Sequence, residues 1–292
     1  MWEGSIRFAQ LALALGSVAL LCDCGSIEMR TEFAASSPLP PTPAPIPSKR
    51  SGQADANGIS IHYAVYGKGS PVILLHGGLA NSDYWGNQIP PLARHHTVIA
   101  MDSRGHGRST RDSRPYSYDL MADDVVALMD ALRVAKADVV GWSDGATIGL
   151  DLAMRHPDRV RKIFAFAAAT ATSGEKYSAV MNPTFVAFIE RTGHEYEAYS
   201  ATPKEYGSFV IDVIKMWASE PNWSDAQLRT IAAPVLVVDG DHDEAITREH
   251  TEYIASAIPG ARLLILPNAS HFALLQDPVH FNYAVLHFLG DR

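Results

Sequence analysis

From Ile59 onward, short apolar runs alternate with longer stretches in which apolar residues recur every three or four positions. Val72–Leu75, Val98–Met101, Val139–Val140, Ile163–Ala167, Val235–Val238 and Leu263–Leu266 show little polar alternation, the pattern of strands covered on both faces. Ile59–Tyr66 alternates instead, as a strand with one exposed face does. Helices are predicted between these runs, near Asp83–Arg94, Tyr118–Val134, Ala146–Arg155, Thr247–Ala257 and Pro278–Leu289. In the second of them Leu120, Val125, Leu128, Met129 and Leu132 fall at helical spacing. Pro157, Pro234 and Pro267 punctuate helix ends or strand starts. Strands alternating with helices predict an α/β fold, a mostly parallel sheet flanked by helices with right-handed crossovers.

The stretch 170–223 breaks this rhythm. It offers no convincing strand, but it has helical patterns at Pro183–Arg191 and Lys204–Ser219 that carry Phe185, Phe188, Tyr206, Phe209 and Trp217. An insertion at one point of an α/β sheet sits above a strand end, so a small helical cap over about 170–223 is expected. Any single one of its aromatics is explained as readily by the cap's own core.

The first fifty residues read differently. Phe8–Leu21 is fourteen residues without a charge, preceded by Arg7, and is shorter than the roughly 20 apolar residues that span a bilayer. Residues 1–24 are therefore expected to be a signal peptide or N-terminal anchor, with export to the periplasm or the medium. Cleavage after Ala19 and a lipid anchor on Cys22 or Cys24 are the two exits, although the residues before each cysteine suit lipidation poorly. Ser36–Ser48 holds six prolines, which lack the N–H and fix φ, so 25–54 is expected to be a disordered, extended linker. The folded domain is then 55–292.

Composition narrows the partners. The formal charge is −8, and the first fifty residues carry four basic and four acidic side chains, so all of it falls after them. An acidic body argues against nucleic acid. The two cysteines, both before residue 25, exclude a disulfide scaffold and a cysteine-based zinc site in the domain. No phosphate-binding loop, dinucleotide fingerprint or H-E-x-x-H occurs, so neither cofactor nor metal is expected.

The chemistry is carried by Gly141-Trp142-Ser143-Asp144-Gly145, a G-x-S-x-G between a predicted strand and a predicted helix. A serine on so sharp a turn presses its neighbours against the backbone, and glycines two before and two after leave room. The following helix aims its N-terminus at developing negative charge. Leu74-Leu75-His76-Gly77-Gly78 ends an earlier strand as an oxyanion loop does. Asp102-Ser103-Arg104-Gly105-His106-Gly107-Arg108-Ser109 follows another strand and reads as a tightly turned structural loop. Downstream come Asp239-Gly240-Asp241-His242-Asp243 and, after a further strand, Ser270-His271. The acid is expected to be Asp243, because the loop must first pass the strand's carboxyl end, with Asp241 and then Asp239 as alternatives. His271 has the order and setting of a base among twelve histidines; His76 is expected to support its own loop.

Jointly these motifs resemble the α/β-hydrolase superfamily from about residue 55 to the end, and the GWSDG elbow is similar to its serine esterase, lactonase and amino-acid-ester hydrolase branch. The resemblance implies eight central strands, a cap after the sixth, and a Ser143–Asp243–His271 triad with backbone oxyanion donors at Gly78 and Asp144. It implies a serine hydrolase of small ester or lactone substrates, with perhydrolysis or C–C bond hydrolysis as alternatives and a ligand receptor as the alternative of another class. Asp144 is expected to face the pocket, where its charge would favour substrates bearing a cationic amine.

Overall fold

The computed structural model describes residues 39–290. Its strands are β1 (Arg50–Ala56), β2 (Ile59–Gly67), β3 (Ser70–Leu75), β4 (His96–Met101), β5 (Ala137–Trp142), β6 (Val160–Phe166), β7 (Val235–Gly240) and β8 (Arg262–Leu266). They form one sheet in the order β1-β2-β4-β3-β5-β6-β7-β8. β1 pairs antiparallel with β2, and β2 with β4; the remaining pairs are parallel. Every residue of β5 and β7 is buried, as continuous apolar runs in the middle of a sheet should be.

Helices cover both faces. α1 (Tyr118–Ala131) and α2 (Asp144–Arg155) pack on each other, and Gly149 of α2 approaches Val139 and Ile163. α6 (Pro278–Leu289) lies on the opposite face, where the Phe281 ring meets Phe164 at 5.4 Å and Phe166 at 5.2 Å. The alternation of Ile163 with Phe164 and Phe166 along β6 produces this division. α5 (Arg248–Ala257) packs on β7 and β8. The interval 170–223 holds two main helices, α3 (Pro183–Tyr199) and α4 (Tyr206–Trp217), between β6 and β7, where the cap was expected.

Three expectations change. The linker does not extend to residue 54, because Arg50–Ala56 is a strand. Its sequence, RSGQADA, lacks an apolar pattern, and it forms because Asn57 and Gly58, both at positive φ (49° and 78°), turn the chain back onto β2. Before β1, residues 39–49 are not a free spacer; they form no helix or strand, but Leu39 and Ile46 pack on the core. The long helix expected near Asp83–Arg94 is instead a 3-10 segment, Ser82–Asn87, followed by one turn, Ile89–Leu92. Pro91 has no N–H for a continued helix to use. The leader expectation for 1–24 and the linker expectation for 25–38 lie outside the described residues.

Candidate active site

Ser143 sits where β5 turns into α2, with φ 54° and ψ −121°, a conformation an L-residue holds only under constraint. Its N–H donates to Phe166 O at 2.8 Å, and its carbonyl accepts from Ala146 N and Thr147 N. A side chain on Gly141 would meet Ala146 Cα at 2.5 Å, and one on Gly145 would collide with the Leu75 carbonyl. The glycines therefore flank the serine for the steric reason read from the sequence. Ser143 itself is half-buried, open to a small molecule.

His271 follows β8 in the loop before α6, and Asp243 lies in the loop after β7. Their side chains meet, Nδ1 to Oδ2, at 2.7 Å, and both are buried. The other carboxylate oxygen of Asp243 accepts from Ala245 N and Ile246 N, each at 2.7 Å, so the acid cannot swing away. His271 N donates to Glu244 Oε2 at 3.0 Å. Burial disfavours the imidazolium, but the Asp243 charge and hydrogen bond, with Glu244 and Asp144 beyond, outweigh it and raise the pKa above 6.5. Burial likewise works against the Asp243 carboxylate, and His271 with the surrounding donors holds it below the usual aspartate range. The imidazole packs 6.0 Å from the indole of Trp142, the residue before Ser143. Facing Asp243 through Nδ1 leaves Nε2 for the reacting groups.

The rival acids are placed elsewhere. Asp241 is exposed and accepts from Ala269 N at 3.0 Å. Asp239 is buried at the end of β7, accepting from Gly240 N and from the Thr251 hydroxyl at 2.5 Å. Burial and the neighbouring Asp243 charge push its carboxyl well above the ordinary range.

The loop expected to carry the oxyanion donors adjoins the serine: a Cβ on Gly77 would lie 3.2 Å from Ser143 Cβ. Asp144 is the first residue of α2, so its N–H has no carbonyl one turn back within the helix. His76 is buried and holds the loop, its Nε2 accepting from Ser103 N at 2.9 Å and its Nδ1 lying 2.8 Å from Gly77 O. Burial lowers its pKa, which keeps it neutral for that task. The partner of His76 belongs to the Asp102–Ser109 turn, itself fixed by Asp102 accepting from Ser82 N and Arg108 N, and by a buried Arg104 paired with Asp124 at 2.7 Å. These bonds fit the tightly turned structural loop expected for this stretch.

Several contacts were not legible beforehand. Tyr118 Oη donates to Asp144 at 2.9 Å, and Trp217 Nε1 of α4 lies 3.0 and 2.9 Å from its two oxygens. Burial pushes the Asp144 carboxyl upward against the pull of Trp217, Tyr118 and His271. A Cβ on Gly78 would come 2.5 Å from Asp144 Oδ2, so this glycine makes room for the acid beside it. Glu175, at the start of the cap, is pushed to about 8 by burial and by the Asp144 charge. Phe185 of α3 lies 5.3 Å from the His271 ring, and Phe188 packs on Trp142 and Phe272. The cap aromatics were noted in the sequence, but nothing local pairs positions this far apart.

Comparison with known proteins bears on the family and the fold. A family model described as the alpha/beta hydrolase fold matches residues 70–192. The serine hydrolase BPHL of Homo sapiens is 28% identical over 259 residues, covering 83% of this chain and 87% of the relative. The 2-hydroxy-6-oxo-6-(2'-aminophenyl)hexa-2,4-dienoic acid hydrolase of Metapseudomonas resinovorans is 28% identical over 266 residues, covering 82% and 90%. Among solved structures, Est816, described as an N-acyl homoserine lactone degrading enzyme, is 32% identical with a TM-score of 0.66, covering 81% of this chain and all of its own. Strand order, elbow and similarity agree, and the chain belongs to the α/β-hydrolase family.

Proposed function

We propose that the protein is a serine hydrolase that cleaves carboxylic esters or lactones of small molecules through an acyl-enzyme. The carrying observation is the 2.7 Å His271–Asp243 contact on a loop that packs against the Ser143 elbow. A free serine hydroxyl is a poor nucleophile at neutral pH. The Nε2 of His271 takes its proton as Oγ attacks the carbonyl, then returns that proton to the departing alkoxide. Asp243 fixes the tautomer and stabilises the transient imidazolium. The N–H groups of Gly78 and Asp144 receive the negative oxygen, and losing one such donor in comparable enzymes costs about 3–4 kcal/mol. Water then repeats the sequence on the acyl-enzyme.

Hydrolysis of a C–C bond is the second reading, favoured by the similarity to the Metapseudomonas resinovorans hydrolase. A panel of p-nitrophenyl esters, lactones and vinylogous diketones separates the two. Ser143→Ala should lose on the order of 10⁴-fold in kcat on whichever class is turned over while its Tm is retained. A Ser143→Ala protein as active as wild type would falsify both. The charge-free segment Phe8–Leu21 supports export as the setting, and fractionation of the expressed protein tests it.

A further inference from the structure

The segment ahead of β1 is bound to the cap at Glu195 and Arg191. Thr42 Oγ1 donates to Glu195 Oε1 at 2.5 Å, and Asn81 Nδ2 donates to Glu195 Oε2 at 2.8 Å. Thr42 belongs to the segment, Glu195 to α3, and Asn81 to the loop that carries Gly78. One helical turn earlier, Arg191 donates to Pro40 O at 2.6 Å and to Leu39 O at 3.0 Å. Two carbonyls and the hydroxyl of the segment thus meet α3 in place of water, and Pro43 sits against Gly86, where a Cβ would come 2.5 Å from it. Proline suits this role, since a chain already restricted in φ loses less freedom when it docks. The face of α3 toward the sheet carries Phe185 and Phe188, the two rings against His271, Trp142 and Phe272.

We propose that residues 39–46 form a strap that sets the substrate-binding wall: by holding Arg191 and Glu195 it fixes where α3 places Phe185 and Phe188, and through Asn81 it ties that wall to the oxyanion loop. Thr42, Arg191 and Glu195 are thus positioning residues for substrate shape, and the reading rests on the hydrolase function above. Burial raises the pKa of Glu195, while Thr42, the Arg191 charge and Asn81 pull it back.

The test uses the full chain with Thr42→Val, Thr42→Ser, Arg191→Met and wild type, assayed on p-nitrophenyl acetate and p-nitrophenyl phenylacetate. Val keeps the shape of Thr42 and removes its donor, whereas Ser keeps the donor. The expected result is a rise of about three- to tenfold in the phenylacetate-to-acetate KM ratio for Thr42→Val and Arg191→Met, the size of a typical lost hydrogen bond. Thr42→Ser should stay near wild type, and kcat should move less than KM. A lowered Tm with an unchanged KM ratio makes the strap structural only and overturns the proposal, as does an equal effect from Thr42→Ser. Amide exchange across 183–199 is measured on the same proteins. If wild type turns over neither ester, the hydrolase reading fails separately and exchange decides: faster exchange in Thr42→Val and Arg191→Met supports the strap, and unchanged exchange overturns it.

Discussion

His271 Nδ1 and Asp243 Oδ2 lie 2.7 Å apart, and two backbone N–H groups immobilise the carboxylate from behind. A base in this setting binds its proton more tightly than free imidazole does, and that fixes where activity fails in acid.

The folded pKa of His271 is raised above 6.5, while the proposed mechanism needs the neutral ring. Activity should therefore be full at alkaline pH and fall as pH drops through a value above 6.5. Asp243→Asn removes the largest charge holding the proton, so the acid limb should move down while kcat falls by about 10⁴-fold. Glu244→Gln should move the limb in the same direction by less. Profiles of kcat/KM from pH 5 to 9 check this, and a wild-type limb at or below 6.5 contradicts it.

Asp144 is held by two neutral donors, and among the described residues no salt bridge compensates its charge. A substrate ammonium reaching the site would favour the carboxylate form of Asp144, which burial disfavours. Asp144→Asn should lose about tenfold in its preference for amino-acyl over plain acyl esters of equal size, and about 1–3 kcal/mol of stability from the disturbed donors. Paired kcat/KM values and Tm supply both readings. Lower stability with unchanged selectivity would leave Asp144 as a brace between α1, α2 and α4 only.

Glu175 is lifted from 4.5 to about 8 by burial and by Asp144. A carboxyl whose folded pKa lies above its unfolded value contributes stability that is complete below about pH 4.5 and is lost as pH climbs to about 8. Glu175→Gln has no proton to give up. Its Tm should be close to wild type near pH 5 and should exceed it by a widening margin up to pH 8.5. A margin that stays constant with pH would place the Glu175 proton elsewhere.

The parallel core was legible because its strands are continuous apolar runs, and the elbow because Gly141 and Gly145 meet a steric need that the structure displays directly. The loop order leading to Asp243 and His271 was legible for a similar reason: each follows a run that could only be a strand. What escaped reading depends on partners far along the chain. β1 is polar and exists through its pairing with β2, though Asn57-Gly58 was a turn signal in plain view. Proline content suggested a free spacer, because composition reports what a segment cannot form by itself and is silent about carbonyls that Arg191 will take. The Trp217–Asp144 contact joins positions 73 apart and has no local signature.

That contact has a practical consequence. An indole hydrogen-bonded to an acid beside the nucleophile responds optically to whatever displaces water or charge around it. Trp85 and Trp142 are sealed in the core, whereas Trp217 of the cap is only partly buried and is hydrogen-bonded to Asp144 beside Ser143. Emission of wild type minus that of Trp217→Phe would follow occupancy in real time, without a chromogenic leaving group and before any bond is broken.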